Sequence, residues 1–361
     1  MSKILIITNH SYMFYRFRLE LIQELMKEHE VVLSMPFVGH EEDFQALGIR
    51  CINTVMDRRG TRIKSELDLF CSYYRMIKDE HPDLVITYSI KPNIYAGMVC
   101  RLLGIRYCVN VQGLGTAFQE ERMARFVTVL YKVALRKAGT VFFENRGNAQ
   151  EFLKRRIIPE KKQVVLAGAG INLDRYMLSP YPDNDITHFL YLGRIMREKG
   201  VDELFEAAER LHAEDKSFVI DLVGFFEDEY GERVEELESR GIAKFHGFQQ
   251  EPRPFYADAD CVVLPSYHEG MSNVLLEAAS MGRPIITSRI YGCMEAVVEG
   301  ESGYLCTVKD ADSLYDAMKT FLALPREERE AMGKRSREHA EKTFEKGKVV
   351  TETIQALNLQ G

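Results

Sequence analysis

Short apolar runs rich in Val and Ile recur through this chain, and an amphipathic stretch follows nearly every one. Runs at 3–8, 31–34, 51–55, 84–87, 107–111, 141–143 and 164–166 read as strands, and 12–28, 65–80, 92–103, 122–138 and 146–155 read as helices. Runs that are apolar throughout suit strands covered on both faces, which is the habit of parallel sheets with helical crossovers. The order therefore predicts a doubly wound, Rossmann-like α/β domain over residues 1–168. A second series starts at 189–192 and continues at 218–223, 244–248, 261–264, 282–288 and 303–306. Between the two lies a glycine- and proline-bearing stretch at 169–185, the expected linker. Residues 313–324 and 328–355 read as helices rich in i,i+4 charge pairs.

Length and composition agree with two domains. A chain of 361 residues with 46% hydrophobic and 28% charged residues has enough apolar material for two cores. No apolar run reaches the ~18 residues of a membrane span. The first residues are too briefly apolar and too β-branched for a signal peptide. Seven scattered cysteines without a Cys-x-x-Cys pair are expected to be reduced, in a cytoplasmic protein without disulfide or structural zinc. The first strand-to-helix turn lacks Gly-x-Gly-x-x-Gly, so no nicotinamide or flavin fingerprint is present and no cofactor is expected.

Charge divides the chain. Residues 1–179 hold 26 Lys and Arg against 19 Asp and Glu, and residues 180–361 hold 21 against 35. Arg58, Arg59, Arg62, Lys64, Arg75 and Lys78 form one basic cluster, and Arg122, Arg125, Lys132, Arg136 and Lys137 form another, interleaved with Phe126, Val129 and Leu130. The second cluster fits either an anionic membrane surface, a phosphate-gathering face, or a plain solvated helix face. Nucleic acid is not an expected partner, because the whole chain is acidic and the basic residues carry no stacking-aromatic motif.

The chemistry-bearing stretch is Ser266-Tyr-His-Glu-Gly-Met-Ser-Asn-Val-Leu-Leu-Glu277. It follows the strand 261–264, is broken by Pro265 and Gly270, and enters a helix at about Asn273 with Ser272 as the expected N-cap. Glu269 lies in the loop, and Glu277 lies eight residues on, about two turns into the helix. Free N–H groups of Met271, Ser272 and Asn273 at the helix start suit an anion, and the two carboxylates suit hydroxyls on either side of it. A nucleotide sugar has that layout, although a loop glutamate and a solvent-facing helical glutamate would give the same spacing.

Other loops bear on the same reading. After the strand 189–192 comes Gly193-Arg-Ile-Met-Arg-Glu-Lys-Gly200, where Arg194 and Lys199 flank a tight loop at a helix start and suit a diphosphate. In the first half, Asn9-His10-Ser11, Ser89-Ile-Lys-Pro92 and Gln112-Gly-Leu-Gly-Thr116 follow strand ends that should face one crevice. His10 is either a general base or substrate contact, or a structural loop histidine. Lys91 precedes Pro92, which is suited to the first helical position, and so sits near an anion site. Gln112 and Gly113 either approach a ligand or only make a turn. Asp258 and Asp260 have Asp-x-Asp spacing but enter the strand from the end away from the crevice, so no metal site is expected.

The Glu-x7-Glu spacing with Glu269-Gly270 at its start, the Gly193-Arg194…Lys199-Gly200 loop and the Gly170-Ile-Asn-Leu-Asp174 turn closely resemble retaining glycosyltransferases of family 4. The first half departs from it, with Asn9-His10 in place of a glycine pair and Gln112 in place of a histidine. It resembles the branch that extends polyprenyl-diphosphate-linked glycans in bacteria. The resemblance implies a GT-B fold, two Rossmann-like domains facing a central cleft, with residues 186–344 holding the nucleotide sugar, residues 1–168 the acceptor, and a helix at 345–361 returning to the first domain. It implies metal-independent retention, with Glu269, Arg194 and Lys199 catalytic and Glu277, Gly193, Gly224, His246, Gly270, Met271, Ser272, Asn273 and Glu295 on the donor. Asn9, His10, Lys91, Gln112 and Gly113 fall on the acceptor or sugar side. Phe248 is a base neighbour or, by preference, core packing, and Glu295 is a sugar contact or a plain helix-start glutamate. A UDP-sugar is the favoured donor by family frequency, and the expected location is cytoplasmic, with a peripheral place on the inner face of the cell membrane left open. A UDP-sugar epimerase of the same architecture, or an inactive scaffold, stays open at this point.

Overall fold

The computed structural model describes residues 1–56, 63–115, 118 and 120–359, so the expected contributions of Arg58, Arg59, Arg62 and Thr116 lie outside the described residues. The chain forms two compact units: Met1–Gly170 together with Gly347–Gly361, and Ile171–Lys346.

In the first unit, β1 (Lys3–Ile7), β2 (Glu30–Met35), β3 (Arg50–Asn53), β4 (Leu84–Tyr88), β5 (Arg106–Val111), β6 (Val141–Phe143) and β7 (Gln163–Val165) alternate with α1 (Ser11–Met26), α2 (Glu41–Ala46), α3 (Ile63–Glu80), α4 (Ile90–Leu103), α5 (Glu121–Ala134) and α6 (Arg146–Lys154). The strands pair in the order β3-β2-β1-β4-β5-β6-β7, every pair parallel. The side-chain period of two sorts β1 onto both faces. Leu5 and Ile7 pack with Tyr73, Ile94, Val127 and Tyr131 of the helices on one side, and Ile4 and Ile6 pack with Phe14, Leu21 and Ile22 of α1 on the other. Each such side chain taken fully out of water contributes roughly 1.5–3 kcal/mol.

The second unit repeats the plan. Its strands are β8 (Thr187–Leu192), β9 (Phe218–Val223), β10 (Ala243–Phe245), β11 (Cys261–Leu264), β12 (Ile285–Ser288) and β13 (Gly303–Cys306). They pair in parallel as β10-β9-β8-β11-β12-β13. The helices are α7 (Val201–Glu214), α8 (Gly231–Ser239), α9 (Arg253–Asp258), α10 (Asn273–Ser280), α11 (Ala311–Leu322) and α12 (Arg326–Thr343). In both sheets the strand order reverses beside the first strand, at β1/β4 and at β8/β11. Loops leaving the carboxyl ends of those strands splay apart and leave the crevice where open α/β sheets take ligands.

Several expected boundaries move, each for a visible reason. The helix expected over 328–355 is broken, because Ile171 N–H donates to the Phe344 carbonyl at 2.7 Å and Lys346 N–H donates to the Ile171 carbonyl at 3.0 Å. That short parallel bridge replaces helical bonds, and α13 (Lys346–Leu357) starts afresh beyond it. The strand expected over 244–248 stops at Phe245, since the Gly247 carbonyl turns to accept the Gly224 N–H at 2.9 Å. The strand expected over 51–55 ends at Asn53. Helices α2, α8 and α9 were not read from the sequence; they are short and polar, and α8 buries only Val234 and Leu237. All seven cysteines are free thiols. Among the described residues, no helix is long and apolar enough to cross a membrane.

The last helix belongs to the first unit. Val349, Val350 and Leu357 of α13 join the core face of Ile4, Ile6 and Cys108. Arg106 Nη2 donates to the Asn358 carbonyl at 3.0 Å and Thr140 Oγ1 to the Ala356 carbonyl at 3.0 Å, fixing its end. Leu357→Ala should therefore cost the first unit about 2–5 kcal/mol. Pulsed thiol labelling read by mass spectrometry checks this: Cys108 should become reactive at lower urea while Cys261, in the second unit, keeps its wild-type profile. Equal shifts at both thiols would show that α13 does not serve the first unit alone.

Candidate functional site

The loop after β8, residues 193–200, and the loop after β11, residues 265–272, meet at the carboxyl edge of the second sheet. Their contact is backbone on backbone. Gly200 has φ +72° and a Cβ there would lie 2.1 Å from the Pro265 carbonyl oxygen; at Gly224, after β9, a Cβ would lie 1.7 Å from the Gly193 oxygen. Only glycine fits either place. Across this junction Lys199 Nζ donates to Glu269 Oε1 at 2.5 Å, and Ser266 Oγ donates to the same oxygen at 2.9 Å. The ion pair is largely sheltered, its side chains 18% and 13% exposed. Arg194 reaches the same edge more openly, with its guanidinium 3.6 Å from Glu227.

Past Glu269 and Gly270, Met271 and Ser272 are buried and Asn273 opens α10. Ser272 occupies the N-cap, but its side chain makes no capping hydrogen bond, contrary to expectation; its N–H donates to the Gly292 carbonyl at 2.9 Å. Glu295 lies in a 3-10 turn, Met294–Ala296, where its Oε2 accepts the Gly292 N–H at 2.7 Å. It therefore braces the loop that abuts Glu269-Gly270.

Glu277 is placed differently from the expectation. It sits one turn into α10 rather than two and is only 2% exposed. Tyr176 Oη donates to one carboxylate oxygen at 2.9 Å and Tyr256 Oη to the other at 2.9 Å. Ser280 Oγ and Arg337 Nη1 both hold the Tyr176 carbonyl, at 2.6 and 3.0 Å, so the segment entering the unit is tied to α10. Neither tyrosine stands out in the sequence; Tyr256 lies two residues before Asp258, and nothing in one sequence pairs it with a carboxylate twenty-one positions on.

His246 follows β10 and its Nε2 lies 2.6 Å from Asp221 Oδ1, while His188 Nδ1 lies 2.7 Å from the other oxygen. Burial pushes the Asp221 carboxyl up, yet the hydrogen bonds from the two histidines outweigh it, and the net position is below the usual range. His188 is held above its ordinary value by its hydrogen bond to Asp221, despite burial, with Asp260 and Asp258 adding to it. Asp260 itself accepts from the His188 N–H and from Asn184 Nδ2, both at 2.9 Å, at the amino end of β11. Phe248 is 56% exposed, edge-on to Phe225 at 6.2 Å, so the expected core packing is not found.

The first unit has its own cavity, of about 260 Å³, lined by Asn9, Met56, Ser89, Lys91, Gln112 and Gly113 among others. Ser89 is its pivot: Oγ donates to Asn9 Oδ1 at 2.8 Å and stands 3.5 Å from Gln112 Oε1. Its backbone, at φ 74° and ψ 158°, lies in a region that essentially only glycine visits, a strain of order 1–3 kcal/mol. Two expectations are corrected here. Pro92 is the third residue of α4, not the first, and Lys91 is paired with Glu66 at 2.5 Å, so it brings no net charge to the cavity. His10 caps α1, with Nδ1 accepting the Met13 N–H at 3.4 Å. That leaves the proton on Nε2, a donor rather than a base.

Residues 182–339 match the family model described as glycosyl transferases group 1, and residues 3–145 match the glycosyl transferase 4-like model. The chain belongs to the GT-B glycosyltransferases, and it is an enzyme of the transferase class. It is 26% identical over 328 residues to the N,N'-diacetylbacillosaminyl-diphospho-undecaprenol alpha-1,3-N-acetylgalactosaminyltransferase of Campylobacter jejuni, with 85% of this chain and 86% of that protein covered. In structure it is similar to HepE of Anabaena, solved with UDP and glucose, at a TM-score of 0.81 and 16% identity over 99% of this chain and 100% of the other. It is also similar to the sucrose-phosphate synthase of Thermosynechococcus elongatus, at a TM-score of 0.76 with 19% identity over 98% of each chain. At such identities these two likenesses concern the fold.

Two outcomes are expected. Tyr256→Phe leaves a lone pair of a buried carboxylate without its donor and should cost about 1–3 kcal/mol in urea unfolding. The histidine–aspartate cluster adds a pH dependence. His188, raised above 6.5, stabilises fully below that value and loses the effect as pH rises through its folded value; Asp221, lowered from 3.8, stabilises above that value and loses it as pH falls. The stability difference between wild type and Asp221→Asn should thus be largest at about pH 4.5–6 and shrink toward pH 8. A difference independent of pH would remove the cluster's proton linkage.

Proposed function

We propose that this chain is a retaining, metal-independent hexosyltransferase. It moves a hexose or N-acetylhexosamine from a UDP-sugar to a glycan carried on a polyprenyl diphosphate, in bacterial polysaccharide or glycoconjugate synthesis at the inner face of the cell membrane. The observation that carries the reading is the sheltered Lys199–Glu269 pair, held at the carboxyl edge of β8 and β11 beside the start of α10. The Campylobacter relative, named for transfer to a diphospho-undecaprenol acceptor, and the UDP and glucose bound by the HepE structure support donor and acceptor class.

The second unit holds the donor. Its diphosphate takes Arg194, Lys199 and the N–H groups at Met271 and Asn273, the Ser272 N–H being held by the Gly292 carbonyl, and Gly193 and Gly224 let the nucleotide approach the backbone. Lys199 is a cation kept in place by Glu269 until the diphosphate arrives. Once Lys199 turns to phosphate, Glu269 is released to accept hydrogen bonds from the sugar hydroxyls. Glu277, fixed by the hydroxyls of Tyr176 and Tyr256, is the carboxylate that bears on the ribose hydroxyls. His246 borders the base, and Glu295 steadies the loop next to the sugar.

In the reaction the bond from the anomeric carbon to the diphosphate oxygen breaks, and its electron pair leaves with UDP. The acceptor hydroxyl adds to the same face of the carbon, and its proton passes to a donor phosphate oxygen. Positive charge fixed at Arg194, Lys199 and the helix start stabilises the departing diphosphate without a metal ion. On the acceptor side, the cavity of Asn9, Ser89, Gln112 and Gly113 suits an uncharged sugar ring, since the Glu66 carboxylate neutralises Lys91.

Thermal shift with UDP, GDP and ADP, followed by turnover assays, tests the reading. UDP should raise the melting temperature of wild type, and Lys199→Ala should lower kcat roughly 10²–10³-fold. Chelator should leave turnover unchanged. No shift with any nucleotide and no sugar transfer from any UDP-sugar would remove the proposal.

A further inference from the structure

Two histidines of the second unit share one carboxylate. Asp221 on β9 meets His246 Nε2 through one oxygen and His188 Nδ1 through the other, at 2.6 and 2.7 Å. Despite burial, those hydrogen bonds hold the Asp221 carboxyl below its usual range and so keep it ionised. An ionised carboxylate only accepts hydrogen bonds, so the ring nitrogen facing it carries the proton in each histidine. Neutral His246 then keeps its lone pair on Nδ1. The ring is held on other sides as well: the His246 N–H donates to the Leu222 carbonyl at 2.9 Å, and Phe255 of α9 meets the ring edge to face with centroids 5.0 Å apart. Nδ1 has no hydrogen-bond partner among the described residues, and the side chain keeps 17% of its surface open. The result is a single fixed acceptor just past the carboxyl end of β10.

The edge of the sheet changes character toward that acceptor. Lys199 and the start of α10 gather polar and charged groups beside β8 and β11, whereas β10 stands two strands from β8, ~10 Å at ~4.8 Å per strand. There Phe225 and Phe248 are exposed and meet edge to face at 6.2 Å. An open aromatic face suits the π-face of a nucleobase. A diphosphate at the charged end has its base one ribose away, toward the aromatic end.

We propose, resting on the reading of a UDP-sugar donor, that Asp221 sets the tautomer of His246 so that Nδ1 accepts the N3–H of uracil, and that this pair selects a uridine nucleotide against a cytidine one. Uracil carries N3–H between two carbonyls. Cytosine has a lone pair at N3 and an amino group in place of one carbonyl. Against Nδ1 the uracil edge gains a hydrogen bond, while the cytosine edge sets two lone pairs against each other. A site built to hydrogen-bond one group rejects the analogue lacking it more strongly than a pocket that selects by size. His246 touches the ligand, and Asp221 is a positioning residue that acts through it.

Calorimetric titration of the full chain with UDP and with CDP, at about pH 8 where imidazoles are uncharged, is the test. Wild type should bind UDP at least ~10-fold more tightly than CDP. His246→Gln keeps a donor for Asp221 but removes the acceptor at the Nδ1 position, so it should weaken UDP ~10-fold or more without weakening CDP. Asp221→Ala lets the imidazole take either tautomer and should cut the preference for UDP at least ~3-fold; if that variant does not fold, His246→Gln decides alone. UDP that binds with no preference over CDP would overturn the assignment and leave the donor reading standing, whereas a chain that binds neither nucleotide would remove both. Equal weakening of UDP and CDP by His246→Gln would mark a merely structural histidine and overturn it too, as would a folded Asp221→Ala variant with the full preference intact.

Discussion

The second sheet depends on one constraint, that its connecting loops must pass one another with no side chain between them. β8 is flanked by β9 on one side and β11 on the other, so the loops leaving all three converge on the same edge. At Gly200 and Gly224 the approach is so close that the carbonyl of the neighbouring loop occupies the space a Cβ would need. Given that approach, an ion pair across the junction becomes short and sheltered. The same residues that make the loops fit also bring a cation, a carboxylate and the start of α10 close to one another.

The two units solve this edge differently. In the second it is laced by charge: Lys199 with Glu269, Arg194 with Glu227. In the first it is lined by neutral groups, with a hydroxyl donating to one carboxamide and the nearby lysine neutralised. One fold thus offers an edge suited to a highly charged ligand and another suited to an uncharged one. A transferase that separates a charged leaving group from a sugar acceptor has use for both.

Elements that bury an apolar face were legible because their pattern is local. The strands 218–223, 261–264 and 303–306 fall where the apolar runs put them, and the loops bearing Arg194, Lys199 and Glu269 follow from glycine and proline punctuation. What escaped depends on partners distant in sequence. The break at Phe344 exists because Ile171 pairs with it, a contact that neither segment announces. Tyr176 and Tyr256 meet at Glu277 from positions 101 and 21 residues away. Lys91 looked like a free cation because Glu66 lies a whole helix and strand earlier. His10 was ambiguous for a different reason: a capping histidine and a reactive one present the same letter, and only the geometry at Met13 separates them.

Ser89 sits where a glycine would hold the same backbone at rest. The hydroxyl that donates to Asn9 is therefore retained against a local conformational penalty, at the lining of the cavity. Selection of this scaffold for heat tolerance alone would drift toward glycine at that position. The hardier protein that resulted would lose the hydroxyl from the cavity lining, so its melting point and the chemistry of that lining would part company at this one residue.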